Sequence, residues 1–244
     1  MNGPAPQSVV PALLIAIGLT AGGWLAGSGL ARARMADRYV TVKGVAEREV
    51  RADIAVWPIR VRASDNDLAR AQEKLASDLA KVRAFLREGG IDSGATVLGA
   101  LSVTDAYSGL RGRDLVGSRF EIAQTMIVRS DKPDVVLAAS QRIGQLLRQG
   151  VVLGSTEYQA AGPTFIYTKL NDIKPAMIAD ATARAREAAD QFAHDSKSAI
   201  GGIRQAFQGE FEILARDEGE GVTESSQIAK RVRVVSTVDW YLKD

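Results

Sequence analysis

The sequence predicts an α+β protein: a single N-terminal transmembrane helix, then an antiparallel sheet with helices packed on one face. Three observations predict it. Residues Val9 to Ala31 run without a charged side chain. Downstream, segments with apolar residues at every second position recur, which is strand periodicity. Between them lie segments whose apolar residues are three and four apart, the spacing of one helix face. The expected division is a tail and anchor over residues 1–37 and one globular domain over residues 38–244.

Composition narrows the function classes. Charged residues are 25% of the 244 and the formal net charge is +2, so no global basic field is present to hold nucleic acid. No cysteine occurs, which excludes disulfides, thiol catalysis and Cys-ligated zinc, and the single histidine limits metal chemistry further. No cofactor is expected.

The Val9 to Ala31 run is 23 residues long, and at about 1.5 Å per residue it spans roughly 30 to 35 Å, enough for a bilayer core of about 30 Å. Ala31-Arg32-Ala33 has the small residues of a cleavage site, but no Lys or Arg precedes the run, so an uncleaved anchor is expected. Arg32, Arg34 and Arg38 follow it and by themselves place the globular part in the cytoplasm. Within the run, Gly18 with Gly22 and Gly23 with Gly27 are small residues four apart, the pattern that lets membrane helices approach closely.

The globular part opens with strands from Tyr39. Val40 and Val42 alternate with polar neighbours, Gly44 punctuates, and Val50 to Ala63 resumes as a long strand. Pro58 lacks an N–H for a ladder, so an edge position or a bulge is expected there. Trp57, Ile59 and Val61 form one face; Ile54 and Val56, then Arg60 and Arg62, form the other. Ser64 with Asp67 resembles a capping box for an amphipathic helix carrying Leu68, Leu75, Leu79, Val82 and Leu86. Gly89-Gly90 ends that helix, with Ile91 folding back over the last turn.

Two strands follow, about Thr96 to Asp105 and Ser118 to Arg129, joined by a glycine-rich hairpin tip carrying Arg111 and Arg113. Asp131 and Pro133 start a helix through Val135, Ala139, Ile143 and Leu146, which Gly150 stops. A strand near Thr156 to Ala160 and the apolar Phe165 to Tyr167 lead into the longest helix, roughly Asn171 to Ser198. Its packing face reads as Ile178, Ala181, Ala185, Ala188 and Phe192. After Gly201-Gly202, strands at about Ile203 to Arg216 and Gln227 to Leu242 close the chain around a polar, glycine-rich hairpin loop. On the last, Val232, Val234, Val238 and Trp240 share a buried face, and Arg231, Arg233 and Asp239 the wet one.

Candidate chemistry is sparse. His194 stands near Asp190 and Asp195, but no second histidine or cysteine exists to complete a metal or catalytic set. Asp53 reads as an acceptor of local backbone hydrogen bonds. No phosphate-loop, dinucleotide or nucleophile-elbow pattern appears. Arg60 with Arg62, and Arg231 with Arg233, each point to one strand face: as a rule a solvated face, and the candidate subunit interface if they meet acidic partners.

The opening V-x-V-x-G at Val40 to Gly44, the A-D-I-A beginning at Ala52, and the A-x-A-R-E-A-A from Ala183 to Ala189 occur in an order and spacing that resemble the SIMPL-domain family, over nearly everything from Tyr39 to Asp244. The resemblance implies an exported α+β domain without an established enzymatic activity. It also implies ring or channel-like homo-oligomers, a link to the cell envelope and stress tolerance, and a periplasmic location for the globular part. The resulting expectation is a non-enzymatic, membrane-anchored envelope protein that self-assembles into a homo-oligomeric scaffold at the bacterial inner membrane. The alternative is a periplasmic binding module holding a small ligand or client protein between its sheet and long helix, beside Phe165, Ile166 and Tyr167.

Overall fold

The computed structural model describes residues 9–35, 38–108, 117–154 and 162–243, with side chains of the first helix described from residue 13 to 29. In chain order the elements are α1 (Val9–Met35), β1 (Tyr39–Arg51), β2 (Ile54–Asp65), α2 (Leu68–Glu88), β3 (Thr96–Asp105), β4 (Phe120–Ser130), α3 (Pro133–Gln141) and α4 (Gly144–Arg148). There follow β5 (Val152–Gly154), β6 (Thr164–Ile166), α5 (Leu170–Asp195), β7 (Ala199–Gln208), β8 (Glu212–Ala215) and β9 (Ala229–Lys243). The expected strand at Thr156 to Ala160 and the loop arginines Arg111 and Arg113 lie outside the described residues.

The N-terminal run is helical, as α1, but the transmembrane expectation is corrected. Among the described residues no helix is long and apolar enough to cross a membrane. Among residues 13–29 of α1, whose side chains are described, are Gly18, Gly22, Gly23, Gly27 and Gly29. These glycines, with Thr20 and Ser28, dilute its apolar character. The single-pass inner-membrane location, whether with a periplasmic or a cytoplasmic globular part, rested on that helix and is not supported.

The α+β class with antiparallel pairing stands: every strand pair with a described register is antiparallel. One sheet has the order β3-β4-β2-β5, with β6 also on β2; the other has the order β1-β9-β7, with β8 also on β9. Two compact units emerge: residues 47–177 with 211–233, and residues 1–46 with 178–210 and 234–244.

In the larger unit, alternation on β2 sends Ala55, Trp57, Ile59, Val61 and Ala63 into the core, where Met126 and Val128 of β4 and Leu75, Leu79, Val82 and Leu86 of α2 meet them. The N-cap of α2 is Asp67, whose carboxylate accepts from the Ala69 and Arg70 N–H groups at 2.8 and 3.3 Å. The expected Ser64 does not cap, because β2 continues through it to Asp65. At the other end Gly90 has φ +83°. The Ile91 N–H donates to the Leu86 carbonyl at 2.9 Å and the Gly90 N–H to Arg87 at 3.0 Å, so Ile91 folds back into the core as expected.

Pro58 is not on an edge strand. It pairs in register with Ile127 of β4, and on its other side it faces the gap between β6, which begins opposite Val56, and β5, which ends opposite Arg60. The missing N–H therefore meets no ladder partner. The helix expected from Pro133 to Gly150 is two pieces, because i→i−3 bonds from Arg142 and Ile143 tighten the chain between α3 and α4.

In the smaller unit, Val40, Ala185, Ala189, Val238 and Trp240 form the core. Gly44 does not break β1, which runs through it; the turn falls at Ala52-Asp53. The packing face of α5 is also rotated from expectation. Ala181, Ala185, Ala189 and Ala193 are buried in strict steps of four, while Ala188 and Phe192 are exposed. The strand expected to run unbroken to Arg216 divides into β7 and β8, and the expected loose loop beyond it contains a capped turn, Thr223 to Ser226.

Candidate functional site

β3 lies at one end of its sheet, and among the described residues no strand pairs with its outer side. It begins after a short turn, Ser93–Ala95, where the Thr96 hydroxyl donates to the Ser93 carbonyl at 2.8 Å. β-Branched and long apolar residues then favour extension. A bulge falls between Leu98 and Leu101, held by the Gln124 side-chain amide, which donates to the Gly99 carbonyl at 3.0 Å. The strand ends at Asp105, whose carboxylate accepts from the Tyr107 N–H at 3.0 Å and from Arg119 at 3.1 Å. The Arg119 guanidinium holds that carboxyl below its ordinary range, so it is a fixed negative charge at neutral pH.

From Thr96 to Thr104 the edge carries no charge and no proline. Val97 is 65% exposed, Leu101 49% and Val103 51%, so apolar groups on this strand meet water. Sheet edges that stay single are blunted by charges, prolines, bulges, brevity or a covering element, and among the described residues β3 has only its bulge.

The arginine pairs have separate fates. Arg231 and Arg233 both approach Glu47 of β1, at 3.9 and 3.6 Å, and Arg231 also donates to the Arg216 carbonyl at 2.9 Å. Around them Glu47, Arg48, Glu49, Arg216, Asp217 and Arg231 line a charged cleft of about 370 Å³. Arg62 pairs with Glu121 at 3.4 Å and lies across Gly154, whose hydrogen leaves the room. Arg60 has no ion pair among the described residues. The structure does not bring the two pairs together into one described site. At Gly18, Gly22, Gly23 and Gly27 an added Cβ would meet nothing within 4 Å, so nothing described packs against them.

His194 is exposed beside Asp195 at 3.4 Å, and among the described residues no group of three or more acidic, histidine or cysteine side chains converges as a metal site. Phe165 is consumed by core packing in the larger unit, and the Tyr167 hydroxyl donates to the Lys169 carbonyl at 3.1 Å.

Asp53 makes a clasp that is not local. Its carboxylate accepts from the Thr168 N–H at 2.7 Å and the Thr168 hydroxyl at 2.5 Å, 115 residues away. Burial pushes its pKa up, but these hydrogen bonds outweigh burial and the carboxyl ends lower than usual. A carboxylate lowered in the folded state adds stability above its unfolded pKa, and the contribution disappears as pH falls through the folded value. Asp53→Asn is therefore expected to lose about 1 kcal/mol at pH 7 and progressively less below about pH 4, as read from urea midpoints of variant and wild type at pH 7 and pH 3.

Two groups on the buried faces carry no periodic signal. Lys230 of β9 is fully buried, its ammonium donating to the Glu224 carboxylate and, at 2.6 Å, to the Glu224 carbonyl. Asp78 of α2 is likewise fully buried, between Lys74 and Lys81.

No curated protein matches the chain. A solved structure of an uncharacterized conserved protein from Listeria innocua aligns at 12% identity and a TM-score of 0.18, covering 77% of this chain and 90% of that one. The family model SIMPL, described as a protein of unknown function (DUF541), matches residues 40–238. That span runs from the second residue of β1 far into β9 and includes α2 to α5 and strands of both sheets, and on it this chain belongs to the SIMPL family.

Proposed function

We propose that the chain is a non-enzymatic scaffold whose folded part self-associates through the free edge of β3 into a homo-oligomer. One observation carries the reading: an uncharged edge from Thr96 to Thr104 with apolar side chains in water and, among the described residues, no protective device beyond one bulge. Pairing that edge satisfies its backbone groups and removes apolar area from water together. The resemblance to ring- or channel-like members favours a second copy as the partner, and envelope stress tolerance is the setting it offers for such an assembly.

The full chain, 26.1 kDa as a monomer, is expected to scatter light as a multiple of that mass at micromolar concentration. Leu101→Lys puts a charge on the edge and is expected to return it to the monomer with its circular dichroism unchanged. A wild type that stays monomeric at every concentration and salt overturns the reading.

A further inference from the structure

Resting on that self-association, the edge also specifies how two copies meet. Directly opposed residues of an antiparallel pair share a sheet face, so a β3–β3 contact must set helix-side residues against helix-side residues. On β3 these are Thr96, Leu98, Leu101, Val103 and Asp105, paired with Val128, Met126, Gln124, Ile122 and Phe120 of β4. One two-fold register keeps the faces matched and overlaps the strand along its full length. It sets Leu98 opposite Val103 of the partner subunit and Thr96 opposite Asp105 of the partner subunit.

The Thr96 end is prepared for a carboxylate. There Arg83 and Arg87, one turn apart on α2, stand with Ser93, Thr96 and Ile91 around a cavity of about 280 Å³. Both guanidinium groups are exposed and have no ion-pair partner among the described residues. The cavity is on the helix side, the side to which Asp105 of the partner subunit projects in this register.

We infer that a second copy of this chain docks antiparallel on β3 in this register, with Asp105 of the partner subunit entering the Arg83–Arg87 cavity. The two-fold axis repeats the ion contact at the other end. The apolar pairs between the ends hold the copies together, and the charged ends select the register, since a slip of one residue sets apolar against polar faces and draws the carboxylate off the arginines.

The native chain has no cysteine, so engineered thiols report without background. Full-length Leu98→Cys/Val103→Cys is expected to give mostly covalent dimer on mild oxidation, at least fivefold more than Leu98→Cys or Val103→Cys alone, whose thiols lie far apart in this register. Arg83→Glu/Arg87→Glu, confined to exposed side chains, is expected to weaken association about tenfold. Association by light scattering with cross-linking no better than the single variants, or with the charge variant unaffected, overturns the register and leaves self-association standing. Monomers throughout overturn both.

Discussion

Gly44→Ala is expected to lower the stability of the smaller unit by about 3 kcal/mol, the upper range for forcing a methyl into a packed interior. An added Cβ would stand 1.8 Å from the Ala181 carbonyl oxygen and 2.5 Å from the Ala185 amide nitrogen. Both are helix backbone, so no side chain can swing aside. The spine Ala181, Ala185, Ala189, Ala193 lets α5 lie close along β1, and glycine at the contact completes the approach. Gly22→Ala, where a Cβ meets nothing within 4 Å, is the control and should leave stability unchanged or slightly raised. Urea unfolding followed by the fluorescence of buried Trp240 separates the two; equal midpoints would show that Gly44 is not a packing glycine.

Asp78→Ala is expected to destabilise the larger unit by about 2 to 3 kcal/mol. The carboxylate is 0% exposed and is held by Lys74 and Lys81, one turn to either side on α2. Each lysine also donates to a carbonyl after α4, Lys74 to Gly150 and Lys81 to Gln149, both at 3.1 Å. The carboxylate thus ties α2 to the C-terminal end of α4, where cations are welcome. Removing it leaves two like charges side by side and a vacancy between helices. The lysines are 47% and 36% exposed, so water screens part of the loss, which keeps the figure below that of a fully buried pair. Asp78→Asn preserves the shape and should lose about half as much; an Ala variant with a wild-type urea midpoint would remove the node from the account of stability.

Much of the fold was legible in the chain because its signals are local. The alternation on β2 and β9 placed Trp57, Ile59, Val61, Val232, Val234, Val238 and Trp240 on the faces they occupy. Gly89-Gly90 with Ile91 spelled the end of α2, since only a residue tolerant of positive φ fits there. The bounds of β3, Thr96 and Asp105, were readable for the same reason. Its role was not, because being an edge is a property of sheet order, and the polar Ser102 and Thr104 between apolar residues look the same on an edge as inside.

The errors share a cause. Gly44 reads as a break, yet it marks a close helix approach that depends on α5 about 140 residues later. The buried stripe of α5 rotated from Ala188 and Phe192 to Ala189 and Ala193, because which of two adjacent small-residue rows is buried depends on the surface opposite. The Glu47 carboxylate beside Arg231 and Arg233 likewise comes from β1, far away in the chain, so strand spacing alone does not name it.

The sequence by itself determined the α+β class, the antiparallel alternation and most strand and helix positions, which follow from periodicity and short-range steric preference, and the family, which the ordered motifs from Val40 to Ala189 carried by resemblance. Only the tertiary structure decided that β3 stands at an end of its sheet, that Asp78 and Lys230 are buried with their countercharges, and that Asp53 clasps Thr168. Each of these depends on what a residue meets from a distant part of the chain, and a buried charge is tolerated only where that distant partner arrives.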